Sequence, residues 1–264
     1  MRVDLSDKTA LVTGSTAGIG LATAYGLAQA GATVVLNGRD TTRLEAAAKS
    51  IEATVPNAKL RLVAADVSTA TGAQELIRAQ HDVDILVNNT GIFSATPVLD
   101  ISDEEWDRFF QVNVLSGIRL ARHYLPGMRD RAWGRVVFIS SESAVMVPTE
   151  MVHYGMTKTA QLAVSRGLAQ EMAGTGVTVN SVLPGPTRTE GVEAFVRDRI
   201  GDDIPFEEAE RRFIAEERST SLLGRLIRPE EIANLVVYTC SPLASATTGA
   251  ALRVDGGVAP TLIP

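Results

Sequence analysis

The segment Thr13-Gly14-Ser15-Thr16-Ala17-Gly18-Ile19-Gly20 decides the fold of this 264-residue chain. It joins a short β-prone apolar run, Thr9–Val12, to a helical pattern over Ile19–Ala30 that ends at Gly31. Glycines here let the backbone turn tightly and approach a pyrophosphate, while the helix start presents unpaired N–H groups and its positive dipole end. The spacing Gly-x-x-x-Gly-x-Gly differs from the common Gly-x-Gly-x-x-Gly fingerprint. The segment predicts a dinucleotide-binding turn, and a plain tight turn is the alternative.

Beyond this turn, β-prone runs alternate with helical patterns along the chain. The strand-like runs are Thr33–Leu36, Leu60–Ala64, Ile85–Val87, Arg135–Ile139 and Val177–Val182. The helical patterns cover Thr41–Val55, Ala70–Gln80, Asp103 to about Arg129, and Tyr154 to about Met172. Apolar strands separated by helix-length segments are typical of a parallel sheet that is covered on both faces. The sequence therefore predicts one α/β domain over residues 1–264, a doubly wound Rossmann-type parallel sheet with helices on both faces.

The composition is that of an ordinary globular protein, 45% hydrophobic and 21% charged. A formal net charge of −6 argues against a general binder of nucleic acids or anionic membranes. No apolar run approaches the ~20 residues of a membrane-spanning helix, and the first residues lack the apolar stretch of a signal peptide. The single cysteine, Cys240, suits a reducing compartment. We therefore expect a cytoplasmic protein without nucleic-acid or membrane partners.

One late segment departs from the alternation. Residues 190–218 contain ten acidic residues and five arginines, a net charge of −5, with phenylalanines scattered among them. Charge-rich runs are usually solvated surface. In doubly wound sheets, however, ligands bind beyond the carboxyl ends of the strands, and this segment directly follows such an end. We therefore predict a late insertion over about residues 190–220 that forms a substrate lid.

The end of the second strand bears on cofactor choice. In dinucleotide folds an acidic residue there binds the ribose 2′-hydroxyl group, whereas an arginine accommodates a 2′-phosphate. The chain reads Leu36-Asn37-Gly38-Arg39, and the planar guanidinium of Arg39 suits a phosphate. The next residue, Asp40, either caps the following helix or pairs with Arg43. Because Ala17 supplies no basic side chain, Arg39 alone predicts NADP (NADPH) rather than NAD.

Tyr154 and Lys158 stand four residues apart at the start of a predicted helix, so their side chains share one face. Lys158 is one of only four lysines, and its near neighbours are uncharged. An ammonium group beside a phenol favours the phenolate and lowers its pKa from about 10. Tyr154 then becomes a usable general acid or base. A contact on the helix surface is the alternative interpretation.

Three more polar residues are candidates for the same site. Ser140 and Ser141 follow the apolar run Val136–Ile139, at the carboxyl end of a predicted strand. Asn113 lies within the long middle helical pattern, although asparagine is a mediocre helix former. If Asn113 is buried it needs partners, which indicates a hydrogen-bond network. The alternative is an asparagine on the helix surface.

Together these motifs resemble the short-chain dehydrogenase/reductase family over nearly the whole chain. The pair Tyr154-x-x-x-Lys158 is similar to the family's central signature, and Ser141 fits its catalytic serine better than Ser140 does. Other matching segments are Thr13–Gly20, Asp66, Asn88-Asn89-Thr90-Gly91 (with threonine where the family has alanine), Pro184-Gly185-Pro186-Thr187-Arg188-Thr189 and Asp255-Gly256-Gly257.

The resemblance implies a 3-oxoacyl-reductase-like oxidoreductase that interconverts a carbonyl and a secondary alcohol by hydride transfer. It implies that Tyr154 exchanges the proton, that Lys158 binds the nicotinamide ribose and lowers the pKa of Tyr154, and that Ser141 binds the carbonyl oxygen. Asn113 is the fourth implied catalytic residue, and it anchors a water linked to Lys158. The cofactor-binding residues expected are Gly14, Ser15, Thr16, Gly18, Ile19, Gly20, Arg39, Asp66, Val67, Asn89, Gly91, Tyr154, Lys158, Pro184, Gly185, Thr187 and Thr189.

The motifs leave the substrate open among a 3-oxoacyl thioester, a small ketone and a sugar. Glu142 and Glu150 flank the predicted site and are either ligands for a polar substrate or loop charges, while His153 either touches the substrate or is simply a residue at the helix start. The remaining histidines are dispersed, so no metal site is expected. The family is commonly oligomeric, which implies a homotetramer or homodimer. A catalytically silent NADP-binding regulator on the same fold is the alternative function.

Overall fold

In the computed structural model, which describes residues 3–262, parallel strands form one seven-stranded sheet. The strands are β1 (Thr9–Val12), β2 (Thr33–Gly38), β3 (Lys59–Ala64), β4 (Ile85–Asn88), β5 (Gly134–Ile139), β6 (Val177–Pro184) and β7 (Ala251–Val254). Their spatial order is β3-β2-β1-β4-β5-β6-β7, and every pair is parallel. The doubly wound parallel sheet predicted from the sequence is therefore confirmed.

Helices connect the strands and cover both faces of the sheet. They are α1 (Gly18–Gln29), α2 (Thr41–Glu52), α3 (Ala70–Ala79), α4 (Asp103–Phe110), α5 (Ser116–Asp130), α6 (Val152–Glu171), α7 (Glu190–Ile200), α8 (Phe206–Glu217) and α9 (Pro229–Thr239). A π-helical turn, Gln111–Leu115, joins α4 to α5, so the long helical pattern predicted from Asp103 is one nearly continuous rod. The other predicted elements appear with ends shifted by up to three residues, and the sequence pattern did not predict α9 or β7.

Alternate residues of each strand enter opposite cores, as the period of two in a strand requires. Val12 of β1 joins the core beneath α1, α2 and α9, whereas its neighbour Leu11 joins the core beneath α3, α5 and α6. In β5, Val137 and Val136 divide between the two cores in the same way. The central strands are buried on both faces and mainly apolar, although buried polar residues such as Arg135 and Asn180 lie inside β5 and β6. Within residues 3–262, no helix is long and apolar enough to cross a membrane.

The strand order reverses at β1. This strand pairs with β2 on one side and with β4 on the other, so the connections that leave β1 and β4 run to opposite halves of the sheet. Such a reversal opens a crevice at the carboxyl ends of the strands. The segment Thr13–Gly20 follows β1 at this point, and Asn88-Asn89-Thr90-Gly91 is reached at the end of β4.

Helices α7 and α8 lie where the lid was predicted, and they have a small apolar core of their own. Its buried members are Val196, Phe206, Ala209, Phe213, Ile214 and Leu226, which lie apart from both cores of the sheet. Their outer surface carries ion pairs such as Arg199 with Glu217, whose nitrogen and oxygen are 2.7 Å apart. Exposed pairs of this kind add little stability. The segment from 190 to 220, hereafter the lid segment, is therefore held mainly by this small core.

The two cores predict a clear difference between leucine substitutions. Leu11 is fully buried, so Leu11→Ala leaves a cavity and should lower the free energy of unfolding by about 2–5 kcal/mol. Leu99 is 94% exposed, and Leu99→Ala should change it by less than about 0.5 kcal/mol. Urea unfolding followed by circular dichroism measures both. Equal losses in the two variants would contradict the assignment of the core.

Candidate active site

A cavity of about 760 Å³ opens at the carboxyl ends of the central strands, between the glycine turn and the lid segment. It brings together residues that are far apart in the sequence. The predicted site residues that line it are Gly18, Ile19, Gly20, Arg39, Asn89, Gly91, Ser141, Tyr154, Lys158, Pro184, Gly185, Thr187 and Thr189. This convergence makes the cavity the candidate active site.

The glycine turn is shaped for close approach of a ligand. Gly18 has a φ of +55°, in the left-handed region that favours glycine. At Gly20, a Cβ atom would lie 2.3 Å from the carbonyl oxygen of Gly14, so no larger residue fits there. The N-cap of α1 is Ala17, which provides no side-chain hydrogen bond to the first N–H groups. These groups are left to an anion, so the turn fits the pyrophosphate of a dinucleotide.

Asn89 holds the turn in this shape. Its Nδ2 donates hydrogen bonds to the carbonyl oxygens of Thr13 (2.9 Å) and Gly14 (3.0 Å). Its backbone N–H donates to Oγ1 of Thr13 at 3.0 Å. The Asn88–Gly91 motif therefore acts on the cofactor cradle by fixing the loop after β1 to the end of β4.

Several predicted residues do not line the cavity. Ser15 is fully buried, and its Oγ accepts the backbone N–H of Asn37 at 2.9 Å. The carboxylate of Asp66 accepts hydrogen bonds from the backbone N–H (3.1 Å) and Oγ (2.7 Å) of Ser68 near the start of α3. The predicted residues outside the lining are Gly14, Ser15, Thr16, Asp66, Val67 and Asn113. Cofactor contacts by Asp66 and Val67 stay a prediction.

Two arginines, not one, lie at the mouth of the cavity. The carboxylate of Asp40 accepts the backbone N–H of Arg43 at 3.0 Å and so caps α2. Arg39 and Arg43 both line the cavity, and an Nη2 of Arg43 lies 3.2 Å from Glu190 of the lid segment. Recognition of a 2′-phosphate by Arg39 stays a prediction, and Arg43 is a second arginine that lines the same cavity. The signal that was missed is the spacing, since residues four apart at a helix start are neighbours.

The candidate catalytic side chains come from two elements. Ser141 is the second residue after the end of β5, whereas Tyr154 and Lys158 lie on α6. Nζ of Lys158 donates to the carbonyl oxygen of Ile139 at 2.9 Å and lies 5.5 Å from the centre of the Tyr154 ring. The Ser141 hydroxyl group acts to lower the pKa of the Tyr154 phenol.

Neighbouring hydroxyl groups are engaged in structural bonds. Oγ of Ser140 donates to the backbone carbonyl oxygen of Lys158 at 2.9 Å, so Ser140 fastens α6 to β5. Oγ1 of Thr187 donates to the carbonyl oxygen of Gly185 at 2.8 Å, and the side chain of Thr189 caps α7. The preference for Ser141 over Ser140 agrees with this arrangement.

Asn113 is buried at the π-helical turn, so the helix-surface alternative is wrong. Its Oδ1 accepts the backbone N–H of Ile92 at 2.8 Å, and its Nδ2 donates to Thr157 at 2.9 Å. Its own carbonyl oxygen accepts Nε2 of Gln161 at 2.5 Å, and Oε1 of Gln161 lies 3.5 Å from Nζ of Lys158. Asn113 thus belongs to a network that reaches Lys158, and π-helical turns are frequent at functional sites.

Burial dominates the ionisation of the site. It raises the pKa of Tyr154, and the nearby carboxylate of Glu142 raises it further. Burial lowers the pKa of Lys158 to about 8, against the opposing effect of Glu142. Burial thus dominates the pKa of the phenol in this structure, and the lowering of that pKa by Lys158 stays a prediction.

Glu142 is inside the site, and so is a residue that the sequence did not single out. Both Glu142 and Arg218 line the cavity, and Arg218 reaches it from the end of α8. Burial raises the pKa of Glu142, while Ser141 and Arg218 act to lower it. Glu150 and His153 do not line the cavity. The His153 ring instead packs against Phe109, with ring centres 4.0 Å apart.

The substrate side of the cavity is mainly aromatic. Phe93 lies edge-on to Tyr154, with ring centres 6.2 Å apart, and contacts Phe195 of α7 at 5.9 Å. Phe195 in turn contacts Phe213 of α8 at 6.0 Å. These rings connect the phenol to the lid segment. Over residues 3–262, no cluster of three or more histidine, cysteine or acidic residues is placed to hold a metal ion.

The chain is similar to known proteins over nearly its whole length. Residues 14–259 match a family model described as enoyl-(acyl carrier protein) reductase. The chain is 51% identical over 259 residues to the uncharacterized oxidoreductase YvaG of Bacillus subtilis, covering 98% of both chains. It is 32% identical to the 3-oxoacyl-[acyl-carrier-protein] reductase FabG of Aquifex aeolicus, covering 98% of this chain and 100% of that one.

Among solved structures, the L-sorbose reductase of Gluconobacter frateurii, complexed with NADPH and L-sorbose, is similar over 99% of this chain and 100% of its own. The TM-score is 0.92 and the sequence identity is 33%.

The lowered pKa of Lys158 predicts a pH-dependent stability. An unfolded lysine has a pKa near 10.4, so between pH 8 and 10 the unfolded chain binds more protons than the folded one. Stability should therefore rise with pH in wild type relative to Lys158→Met, by at most about 1.4 kcal/mol per pH unit. Urea unfolding at several pH values measures this difference. Lys49 is exposed, and Lys49→Met should show no such trend; a flat difference for Lys158→Met would contradict the buried ammonium group.

Proposed function

The chain belongs to the short-chain dehydrogenase/reductase family, and we propose that it is an NADP-dependent enzyme that interconverts a ketone and a secondary alcohol. Its relatives are oxidoreductases, and the residues needed for that chemistry are present here. The observation that carries the proposal is the convergence of Ser141, Tyr154 and Lys158 in one cavity with the glycine turn. A catalytically silent regulator would not need these three side chains in its cofactor site.

The proton is handled by the chain's own residues. When bound, a nicotinamide cofactor supplies or receives the hydride at the carbonyl carbon. Tyr154 stays protonated near neutral pH, so its phenol carries the proton that the carbonyl oxygen receives during reduction. Ser141 has one hydroxyl proton, which it donates to Glu142 in the free site. We propose that it turns this proton to the carbonyl oxygen when the substrate binds and so orients that oxygen. In the oxidative direction Tyr154 takes the proton back, and the charge of Lys158 favours the phenolate.

We propose that groups arranged along the cavity would hold the cofactor. The turn Thr13–Gly20 and the start of α1 fit the pyrophosphate, and Asn89 supports them. Arg39 and Arg43 are available for a 2′-phosphate. Lys158 and Tyr154 are assigned to the nicotinamide ribose, and the loop from Pro184 to Thr189 to the nicotinamide. The complex of the similar L-sorbose reductase with NADPH supports the choice of NADP.

Two classes of substrate are compatible with the site. The aromatic wall of Phe93 and Phe195 favours an alkyl group, as in a small ketone or a 3-oxoacyl thioester, and a 3-oxoacyl reductase is among the relatives. The buried charges of Glu142 and Arg218 favour a substrate with polar substituents, and one similar structure holds a keto-sugar. The lid segment covers either substrate.

We further propose that the enzyme acts in the cytoplasm as a homodimer or homotetramer. Closed symmetric assemblies are the commonest for soluble enzymes. The long helices that carry Asn113 and Tyr154 are the proposed contact between copies. Size-exclusion chromatography with light scattering measures the mass, and a strictly monomeric species would contradict this part of the proposal.

The role of Tyr154 predicts the behaviour of Tyr154→Phe. The variant keeps the ring but loses the proton, so kcat for ketone reduction should fall by about 10²–10⁴-fold. NADPH binding, followed by cofactor fluorescence, should persist. The measurement is loss of nicotinamide absorbance over a panel of ketones, 3-oxoacyl esters and keto-sugars. Equal turnover by the variant would remove Tyr154 from the mechanism.

The arginines at the mouth predict the cofactor preference. Arg39→Ala loses a charged hydrogen bond of about 1.5–3 kcal/mol to a 2′-phosphate, so kcat/KM for NADPH should fall roughly 10–100-fold. With NADH the change should be small, because NADH has no 2′-phosphate. Arg78 is exposed on α3, and Arg78→Ala is the control that should leave both values unchanged. An equal loss with both cofactors argues against phosphate recognition by Arg39.

A further inference from the structure

Glu142 and Arg218 place a buried pair of opposite charges in the cavity, and the reaction described above does not use it. Each side chain is only 7% exposed. Nε of Arg218 lies 3.9 Å from Oε1 of Glu142, which is too far for a hydrogen bond. Buried charges are costly unless their hydrogen-bonding groups are satisfied. The pair is therefore incomplete without a further group.

Arg218 has hydrogen-bond donors to spare. Its Nη1 donates to the carbonyl oxygen of Glu217 at 2.6 Å, and its Nη2 contacts only the sulfur of Met151 at 4.0 Å. Its Nε has no partner among the described residues. The face of the guanidinium lies 5.5 Å from the Phe213 ring, which offers no acceptor oxygen. Because an arginine carries five N–H donors, Arg218 can serve an acceptor that enters the cavity.

Glu142 links this pair to the reacting centre. Oγ of Ser141 donates to its Oε2 at 2.5 Å, so one carboxylate oxygen is tied to the serine that orients the carbonyl group. The other oxygen, Oε1, faces Arg218 across the 3.9 Å gap. A carboxylate accepts several hydrogen bonds, so Oε1 can take one more. A group that contacts the two side chains from the cavity is therefore close to Ser141, the serine assigned to the carbonyl oxygen.

The gap discriminates between chemical groups. A hydroxyl group can accept from Arg218 and donate to Glu142 at the same time. A carboxylate can accept from Arg218, but its negative charge is repelled by Glu142. An alkyl group does neither and leaves both buried groups unpaired. Of these three substituents, the hydroxyl group matches the pair best.

We propose that Glu142 and Arg218 bind a hydroxyl group on the carbon next to the substrate carbonyl, so that this enzyme reduces α-hydroxyketones to vicinal diols. This inference rests on the proposed function. During reduction the hydride goes to the carbonyl carbon and the Tyr154 proton to its oxygen, while the neighbouring hydroxyl group is unchanged. The aromatic wall of Phe93 and Phe195 leaves the other substituent apolar.

Three ethyl ketones of nearly equal size test the proposal with NADPH as the cofactor. They are 1-hydroxy-2-butanone, 3-pentanone, in which a methyl group replaces the hydroxyl, and 2-oxobutanoate, in which a carboxylate replaces the hydroxymethyl group. Sites built to bind a hydroxyl group strongly reject the analogue that lacks it. The wild-type enzyme should therefore prefer 1-hydroxy-2-butanone over 3-pentanone by at least about 100-fold in kcat/KM, with 2-oxobutanoate below it as well.

Variants of the pair should reduce this preference. Arg218→Met and Glu142→Gln should each lower the ratio of the two kcat/KM values at least tenfold, roughly the discrimination that one hydrogen bond provides. Arg218→Lys keeps a charged donor and should retain part of it. The control is Arg212→Met, because Arg212 lies on the exposed side of α8 and pairs with Glu208. It should keep the wild-type ratio. Melting temperature and NADPH affinity identify any variant that fails to fold.

Several results would overturn the proposal. They are equal use of 1-hydroxy-2-butanone and 3-pentanone by the wild-type enzyme, a preference for 2-oxobutanoate, or an unchanged ratio in folded Arg218 and Glu142 variants. The last result would mean that Glu142 and Arg218 only help to hold the lid segment in place. If no ketone is reduced although NADPH binds, the proposed function fails. Ligand-observed NMR then still measures whether the wild-type protein binds 1-hydroxy-2-butanone more tightly than the other two ketones, and whether Arg218→Met loses this preference.

Discussion

The parallel pairing of β1 with both β2 and β4 is the constraint on which the site depends. It places the glycine turn where the strand connections diverge, so a crevice opens there that no helix fills. Asn89, at the end of β4, then reaches the carbonyl oxygens of Thr13 and Gly14 and fixes the turn. Because both sheet faces are packed, Ser141 and the lid segment also emerge at this one edge.

Burial controls the chemistry of the residues gathered at that edge. Glu142, Tyr154 and Lys158 share a cavity with little access to water, and each has its pKa shifted toward the neutral form. Tyr154 therefore keeps its proton near neutral pH. Lys158, with a pKa of about 8, is close to the pH at which its ammonium group loses a proton. Glu142 couples to both, since its negative charge raises the pKa of each. The carboxylate beside Ser141 is thus an electrostatic partner of the catalytic pair as well as a neighbour of Arg218.

Much of the fold was predictable because its signals are local. Short apolar runs alternating with helical patterns predicted the parallel sheet, and Asp40 and Thr69 begin helices by capping them through their own side chains. The elements that were missed, β7 and α9, lie near the end of the chain, although α9 begins with two local helix signals, Pro229 and a capping box with Glu231. The predicted Thr41–Val55 helix ends at Glu52, because propensity does not decide which residue makes the last backbone bond.

The sequence by itself determined the fold class, the family and the positions of Tyr154, Lys158 and Ser141, because fixed spacing along one helix and at one strand end sets those relations. Only the tertiary structure decided that Asn113 is buried, that Arg43 joins Arg39, and that burial raises the pKa of Tyr154. It also brought Arg218 to within 3.9 Å of Glu142, across 76 residues of chain. Desolvation and long-range contact depend on what packs around a group, and no local pattern records that.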